Sequence, residues 1–149
     1  MPFDLFTFKK NELYGSKLPE TLEDLETIKK EGIKVIISLE EAILEIKNSS
    51  NLAEDFEHYE LFITDYDIPE RKQVEKFLAI VDKAKKENKP ILVHCWAGCG
   101  RTGVMLALAE RFIYGVKDGT QAIENLRKVR PCAVETPNQQ DFVKSYKRE

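Results

Sequence analysis

Ile91-Leu92-Val93-His94-Cys95-Trp96-Ala97-Gly98-Cys99-Gly100-Arg101-Thr102-Gly103 decides how this 149-residue chain reads. Three apolar residues running straight into a histidine make a short buried strand. The apolar stretch from Thr102 to Tyr114 makes a helix buried on most sides. Between them lies a glycine-containing loop that opens onto a helix N-terminus. Consecutive backbone N–H groups in such a loop point inward, and the helix dipole adds partial positive charge. The segment Trp96, Ala97, Gly98, Cys99, Gly100 and Arg101 therefore suits a phosphate dianion. Gly98 and Gly100 allow close approach of the backbone. Arg101, six residues after Cys95, is placed to grip two phosphate oxygens with its planar fork.

Working outward, strands alternate with helices. Leu22, Leu25 and Ile28 at spacing three predict a helix stopped by Gly32. Ile33-Lys34-Val35-Ile36-Ile37-Ser38-Leu39 follows as a buried strand, then Asn48-Ser49-Ser50-Asn51 as a turn cluster. Tyr59 to Ile63 is a further strand candidate, and Thr64-Asp65-Tyr66-Asp67-Ile68-Pro69 a loop. Val74, Phe77, Leu78, Val81 and Ala84 share one helical face, with Lys and Glu opposite. Asp118-Gly119-Thr120-Gln121 predicts a capping box before a helix carrying Ala122, Ile123, Leu126 and Val129. Thr136-Pro137-Asn138-Gln139 predicts a second one, with Pro at N1, before a terminal helix through Phe142, Val143 and Tyr146. The pattern is α/β: one domain over 1–149, a mainly parallel central sheet, helices on its faces. Ligands of such sheets bind beyond the carboxyl ends of the strands, which is where the loop after Val93 lies.

A thiol at a helix N-terminus beside an arginine ionises near neutral pH. The expected nucleophile toward phosphorus is therefore Cys95, through a cysteinyl-phosphate intermediate. His94 is expected to hold the loop's shape by hydrogen-bonding its carbonyls, and Thr102 to offer its hydroxyl to the sulfur as it leaves. Expulsion of an alkoxide needs a general acid. Asp65, 30 residues before Cys95, lies on the loop after a neighbouring strand, and Asp67 competes with it. Asp65 has a local use too, as a cap for the helix beginning near Pro69. Nothing in this constellation calls for a metal or another cofactor.

The string His-Cys-x-x-Gly-x-x-Arg-Thr-Gly between an apolar strand and a helix resembles the signature of the cysteine-dependent protein tyrosine phosphatase superfamily. In size, the chain is similar to the small atypical dual-specificity phosphatases and their archaeal relatives. The resemblance covers most of the chain. Leu13 to Pro19 looks like the family's opening turn and Gly32 to Leu39 like its first long buried strand. Asp65, four residues before Pro69, matches the general-acid loop, and the resemblance favours it over Asp67. Arg130-Pro131 with Val134-Glu135-Thr136 and Gln139 resembles the segment that positions water for hydrolysis. Glu135 and Gln139 are expected to support the reaction there, although Gln139 also has a local use at N3 of its capping box. Departures are Tyr66 and Asp67 in the acid loop, Cys132 where Gly is common, and a loop interior bearing Trp96 and Cys99 but no lysine.

The resemblance implies a metal-independent phosphatase acting on phosphotyrosine, and on phosphoserine and phosphothreonine, in phosphorylated proteins. Rivals on the same scaffold are an RNA 5′-triphosphatase, a phosphoinositide phosphatase and a phosphate-binding pseudo-phosphatase. A net charge of −3 and pI near 5.6, with the lysine-free loop, speak against nucleic acid and phosphoinositides as substrates. No apolar run approaches the ~20 residues that span a bilayer, so no membrane partner is expected, and the chain reads as a cytoplasmic monomer. Three cysteines indicate no disulfide framework. Cys99 and Cys132 read as small hydrophobes, or as thiols able to trap an oxidised Cys95, and His58 as solvated surface. Lys (17 of 23 basic residues) and Glu (18 of 26 acidic) dominate the charge, a bias seen in thermophiles.

Overall fold

The computed structural model describes residues 3–148. Five strands form one sheet in the order β1-β2-β5-β3-β4. They are β1 (Leu5–Lys9), β2 (Leu13–Ser16), β3 (Val35–Ser38), β4 (Glu57–Glu60) and β5 (Ile91–His94). Only β1 runs antiparallel to its neighbour. The helices are α1 (Leu22–Lys30), α2 (Ile43–Asn48), α3 (Leu52–Asp55), α4 (Arg71–Lys86), α5 (Gly100–Phe112), α6 (Gly119–Arg127) and α7 (Pro137–Ser145).

Burial on both faces explains the continuous apolar runs of β3 and β5. Val35, Ile37, Ile91 and Val93 point into a core shared with α4, α5, α6 and α7. Their alternates Ile36 and Leu92 join Leu25, Ile28, Ile43 and Leu52 on the other face. Helix α5 is buried at every position from Gly100 to Glu110, as its lack of a polar face requires. Strand β5 lies between β2 and β3 in matched register, His94 level with Ser16 and Ser38. The loop after it thus opens at the carboxyl edge of the sheet, flanked by the ends of two parallel strands.

Several expectations need correcting. Leu13–Ser16 is a strand, not a turn. Its four residues are all buried because β5 pairs along them. Strand β4 ends at Glu60, so it lies earlier than the Tyr59–Ile63 reading, although Leu61 and Ile63 still donate to Ser38 and Leu39. Leu22 and Val129 are exposed rather than part of the core. Asp118 caps α6 through the Thr120 amide, but Gln121 turns away to Asn125 and completes no box. The Thr136–Gln139 box forms in both directions, with Pro137 in the first turn.

Candidate active site

The phosphate loop is built by satisfying its carbonyls from outside. Trp96 O accepts from Leu18 N at 2.9 Å. Ala97 O and Gly98 O accept from Arg130 Nη2 (2.7 Å) and Nε (3.1 Å). Cys99 O accepts from Gly103 N and Val134 N, and Cys95 O faces His94 Nδ1 at 3.0 Å. Among the described residues, no protein group accepts from the backbone amides of Trp96 to Arg101. With every carbonyl drawn outward, those amides are left to an anion, as a nest at a helix N-terminus requires. Gly98 has φ +77°, and a Cβ there would lie 2.6 Å from the Ser16 carbonyl, so the loop passes too close to β2 for any side chain.

Cys95 is buried at the base of this loop. Arg101 Nη1 donates to Glu40 Oε1 (2.9 Å) and Ile63 O (2.8 Å). Its Nε and Nη2 are buried without a hydrogen-bond partner, as is Thr102 Oγ1. One edge of the guanidinium is therefore anchored, while the Nε–Nη2 edge makes no hydrogen bond and faces only the Asp65 carboxylate, 3.2 Å from Nη2, so it is the edge a bidentate oxyanion would take. Glu40, which sequence reasoning missed, is pulled upward by burial, yet the Ala42 amide and Arg101 outweigh this and hold it below the ordinary carboxylate range.

His94 is completely buried, and burial pushes it down to about 4. A carbonyl only accepts, so Nδ1 of the neutral ring donates to Cys95 O and Nε2 accepts. Ser38 Oγ, 2.6 Å away, then donates to His94 and accepts from His58 Nε2 at 2.7 Å. His58 is consequently no surface histidine. Its side chain is 3% exposed, and burial lowers its pKa as well. The relay orients the imidazole that shapes the loop, and its three members come from three adjacent strands.

The two acid candidates separate. Asp65 Oδ1 lies 3.2 Å from Arg101 Nη2, on a half-exposed side chain beside the loop. It does not cap α4, whose N-cap is Glu70. Asp67 instead accepts from the Ile68 amide, and its carbonyl accepts from Gln139 Nε2 at 3.3 Å. Tyr66 between them takes φ +64°, which sends the two carboxylates different ways. Gln139 is buried, and its Oε1 accepts from the Glu135 and Thr136 amides. Its local use in the capping box is thus present, while its Nε2 reaches across to the loop of Asp65 and Asp67. Glu135 is exposed, but a Cβ on Gly100 would lie 3.0 Å from its Oε1, so it borders the loop.

Cys99 and Cys132 are not free thiols. They form a disulfide across 33 residues, with Cα atoms 5.2 Å apart. No framework was legible because connectivity among three cysteines depends on the fold. Here the bond joins the N-cap of α5 to the segment before Glu135. Arg130, read only as part of a motif, is the second brace. It forms a two-pronged ion pair with Asp4, both contacts 2.8 Å, and stacks on Phe6.

A buried cysteine under inward amides, backed by an arginine whose Nε–Nη2 edge makes no hydrogen bond, defines the cysteine-dependent tyrosine phosphatase class. A family model described as "Polymorphic toxin system, DSP-PTPase phosphatase" matches residues 13–113, and the chain belongs to that DSP-PTPase family. It is similar to mouse dual specificity protein phosphatase CDC14A, 34% identical over 116 residues, which are 78% of this chain and 18% of that protein. The chain thus spans about a fifth of that relative's length. Among solved structures, it resembles Tk-PTP in its active form (TM-score 0.81, 23% identity, 95% of this chain and 94% of that one). It also resembles PTPMT1 in complex with PI(5)P (TM-score 0.80, 19% identity, 94% and 92%). Both likenesses concern the fold.

Proposed function

We propose that the protein is a metal-independent protein phosphatase of the dual-specificity type, working through a cysteinyl-phosphate intermediate. The carrying observation is the loop whose carbonyls are all bound from outside while six successive amides stay free above a buried cysteine. In this reading, the Cys95 thiolate attacks phosphorus in line. The amides of Trp96, Ala97, Gly98, Cys99, Gly100 and Arg101, with the Nε–Nη2 edge of Arg101 once Asp65 turns from it to the leaving group, stabilise the transition-state oxygens. Asp65 protonates the leaving oxygen, then as a carboxylate activates the water that cleaves the phosphocysteine. Thr102 Oγ1, buried beside the loop and unpartnered, donates to the sulfur as it departs. Glu135 and Gln139 border the path of that water.

Phosphorylated proteins are the proposed substrates, and the cytoplasm the proposed site of action of a monomer. Among the described residues, no helix is long and apolar enough to cross a membrane. The Cys99–Cys132 bond fits a cytoplasm that sustains disulfides, as in hyperthermophiles, and the Lys and Glu bias points the same way.

The test is p-nitrophenyl phosphate hydrolysis in EDTA across pH, comparing the natural protein with Cys95→Ser and Asp65→Asn. Turnover lost in Cys95→Ser and a changed pH profile in Asp65→Asn are expected. A natural protein that binds phosphopeptide without turnover would instead be a recognition module.

A further inference from the structure

A groove of about 260 Å³ runs beside the phosphate loop. Buried Leu18 and Ile46, with half-buried Ala42, give it an apolar lining, and exposed Glu20, Glu45 and Trp96 complete it. Trp96 directly follows the nucleophile and is 56% exposed, unusual for so large an apolar side chain. Leu18 N donates to Trp96 O at 2.9 Å, so the groove wall and the phosphate loop are tied together. Among the described residues, no cationic or aromatic side chain stacks on the indole, and no cation pairs with Glu45.

We propose that this groove is a substrate subsite for a lysine or arginine side chain flanking the phosphorylated residue. Basic phosphopeptides are then the preferred substrates, an inference that rests on the phosphatase reading above. The occupant follows from the lining. A long aliphatic stem matches Leu18, Ala42 and Ile46, and a cationic head matches an indole face and the unpaired Glu45 carboxylate, with Glu20 beside it shared with Lys17. An apolar occupant would cover Glu45 without pairing it, and an acidic one would be repelled by it. Lys17 Nζ already sits 2.8 Å from Glu20 Oε1, so this rim accepts an ammonium. Negative charge continues beside Arg101 through Glu41 and Asp65, both exposed. A cation beside the phosphate meets complementary potential there, whereas the phosphate itself is received only by the loop and Arg101.

Trp96 is the chain's one tryptophan, so its fluorescence reports occupancy without turnover. In Cys95→Ser protein, alanine-based phosphotyrosyl peptides carrying a single lysine at successive flanking positions would be titrated against the all-alanine peptide. Lysine at one position is expected to tighten binding about tenfold and to change Trp96 emission. Glu20→Gln with Glu45→Gln should cut that gain to about twofold and leave the all-alanine peptide's affinity unchanged. Equal affinities at every position, or a gain that survives the double substitution, overturns the subsite. If the natural protein fails to hydrolyse p-nitrophenyl phosphate while the lysine gain persists, the phosphatase reading falls and the basic-phosphopeptide site stands. If no phosphopeptide binds, the subsite falls, and the phosphatase reading falls with it only where the natural protein also fails to hydrolyse p-nitrophenyl phosphate.

Discussion

The rear of the phosphate loop and the acid loop in front of it are held very differently. Behind, the Cys99–Cys132 bond, the two Arg130 bonds and the Asp4 pair all converge on Ala97 to Cys99. Val134, in a left-handed conformation at φ +59° that a β-branched residue rarely adopts, is held there by bonds to Cys99 O, Arg127 and Gln140. In front, Thr64, Asp65, Tyr66 and Asp67 are all exposed. That loop is secured by the Asp67 N to Thr64 O turn, the Asp65–Arg101 contact and Gln139. The groups proposed to meet developing charge are preorganised, where reorganisation would cost most rate. Asp65, the proposed proton donor, sits on a segment with fewer ties, as expected of one that closes over substrate.

Substitutions can break or sharpen this contrast. The largest effect is expected in front. Asp65→Asn should lower kcat about 10²–10⁴-fold with an unchanged melting temperature, and Asp67→Asn should stay within a few-fold. Reversed ranks in steady-state kinetics would give the acid's role to Asp67. At the rear the balance should invert. Cys132→Ala opens a 33-residue link and should cost about 3 kcal/mol in denaturant unfolding, with a modest fall in kcat. If stability were unchanged and activity collapsed, the bond would serve chemistry rather than bracing.

Acid should loosen the rear next. The unfolded chain protonates its histidines near 6.5, whereas folded His94 resists until about 4. Between those values the unfolded state binds more protons, so stability falls as pH drops through this window, by up to about 3 kcal/mol. An NMR titration placing the His94 imidazole near 6.5 would remove that sensitivity. The smallest effect belongs to the residue linking the two regions. Gln139→Ala should cost about 1 kcal/mol of capping and raise hydrogen exchange at Asp67 and Ile68, which a purely local cap would leave alone.

What the sequence disclosed follows the range of the interactions. The β5–loop–α5 segment, the α4 face and the Thr136–Gln139 cap are written in neighbouring residues, and the structure places them as expected. Strand β2 was missed because Leu13-Tyr14-Gly15-Ser16 has little strand character until β5 pairs with it. His58 looked like surface because its burial depends on Ser38, 20 residues away. Glu40 against Arg101 and Asp4 against Arg130 are separated by 61 and 126 residues, beyond the reach of any local pattern. Cys99 and Cys132 mark the same limit.

That disulfide also bears on the fate of Cys95 under oxidative stress. With its two companions joined, Cys95 is the chain's sole free thiol. Once peroxide converts it to a sulfenic acid, no other cysteine thiol of the chain stands by to condense with it and halt its passage to the sulfinic and sulfonic acids. Rescue by condensation with a thiol must then come from small molecules or a partner protein. The bond that braces the loop thus leaves the lifetime of the Cys95 thiol dependent on the reducing capacity of its surroundings.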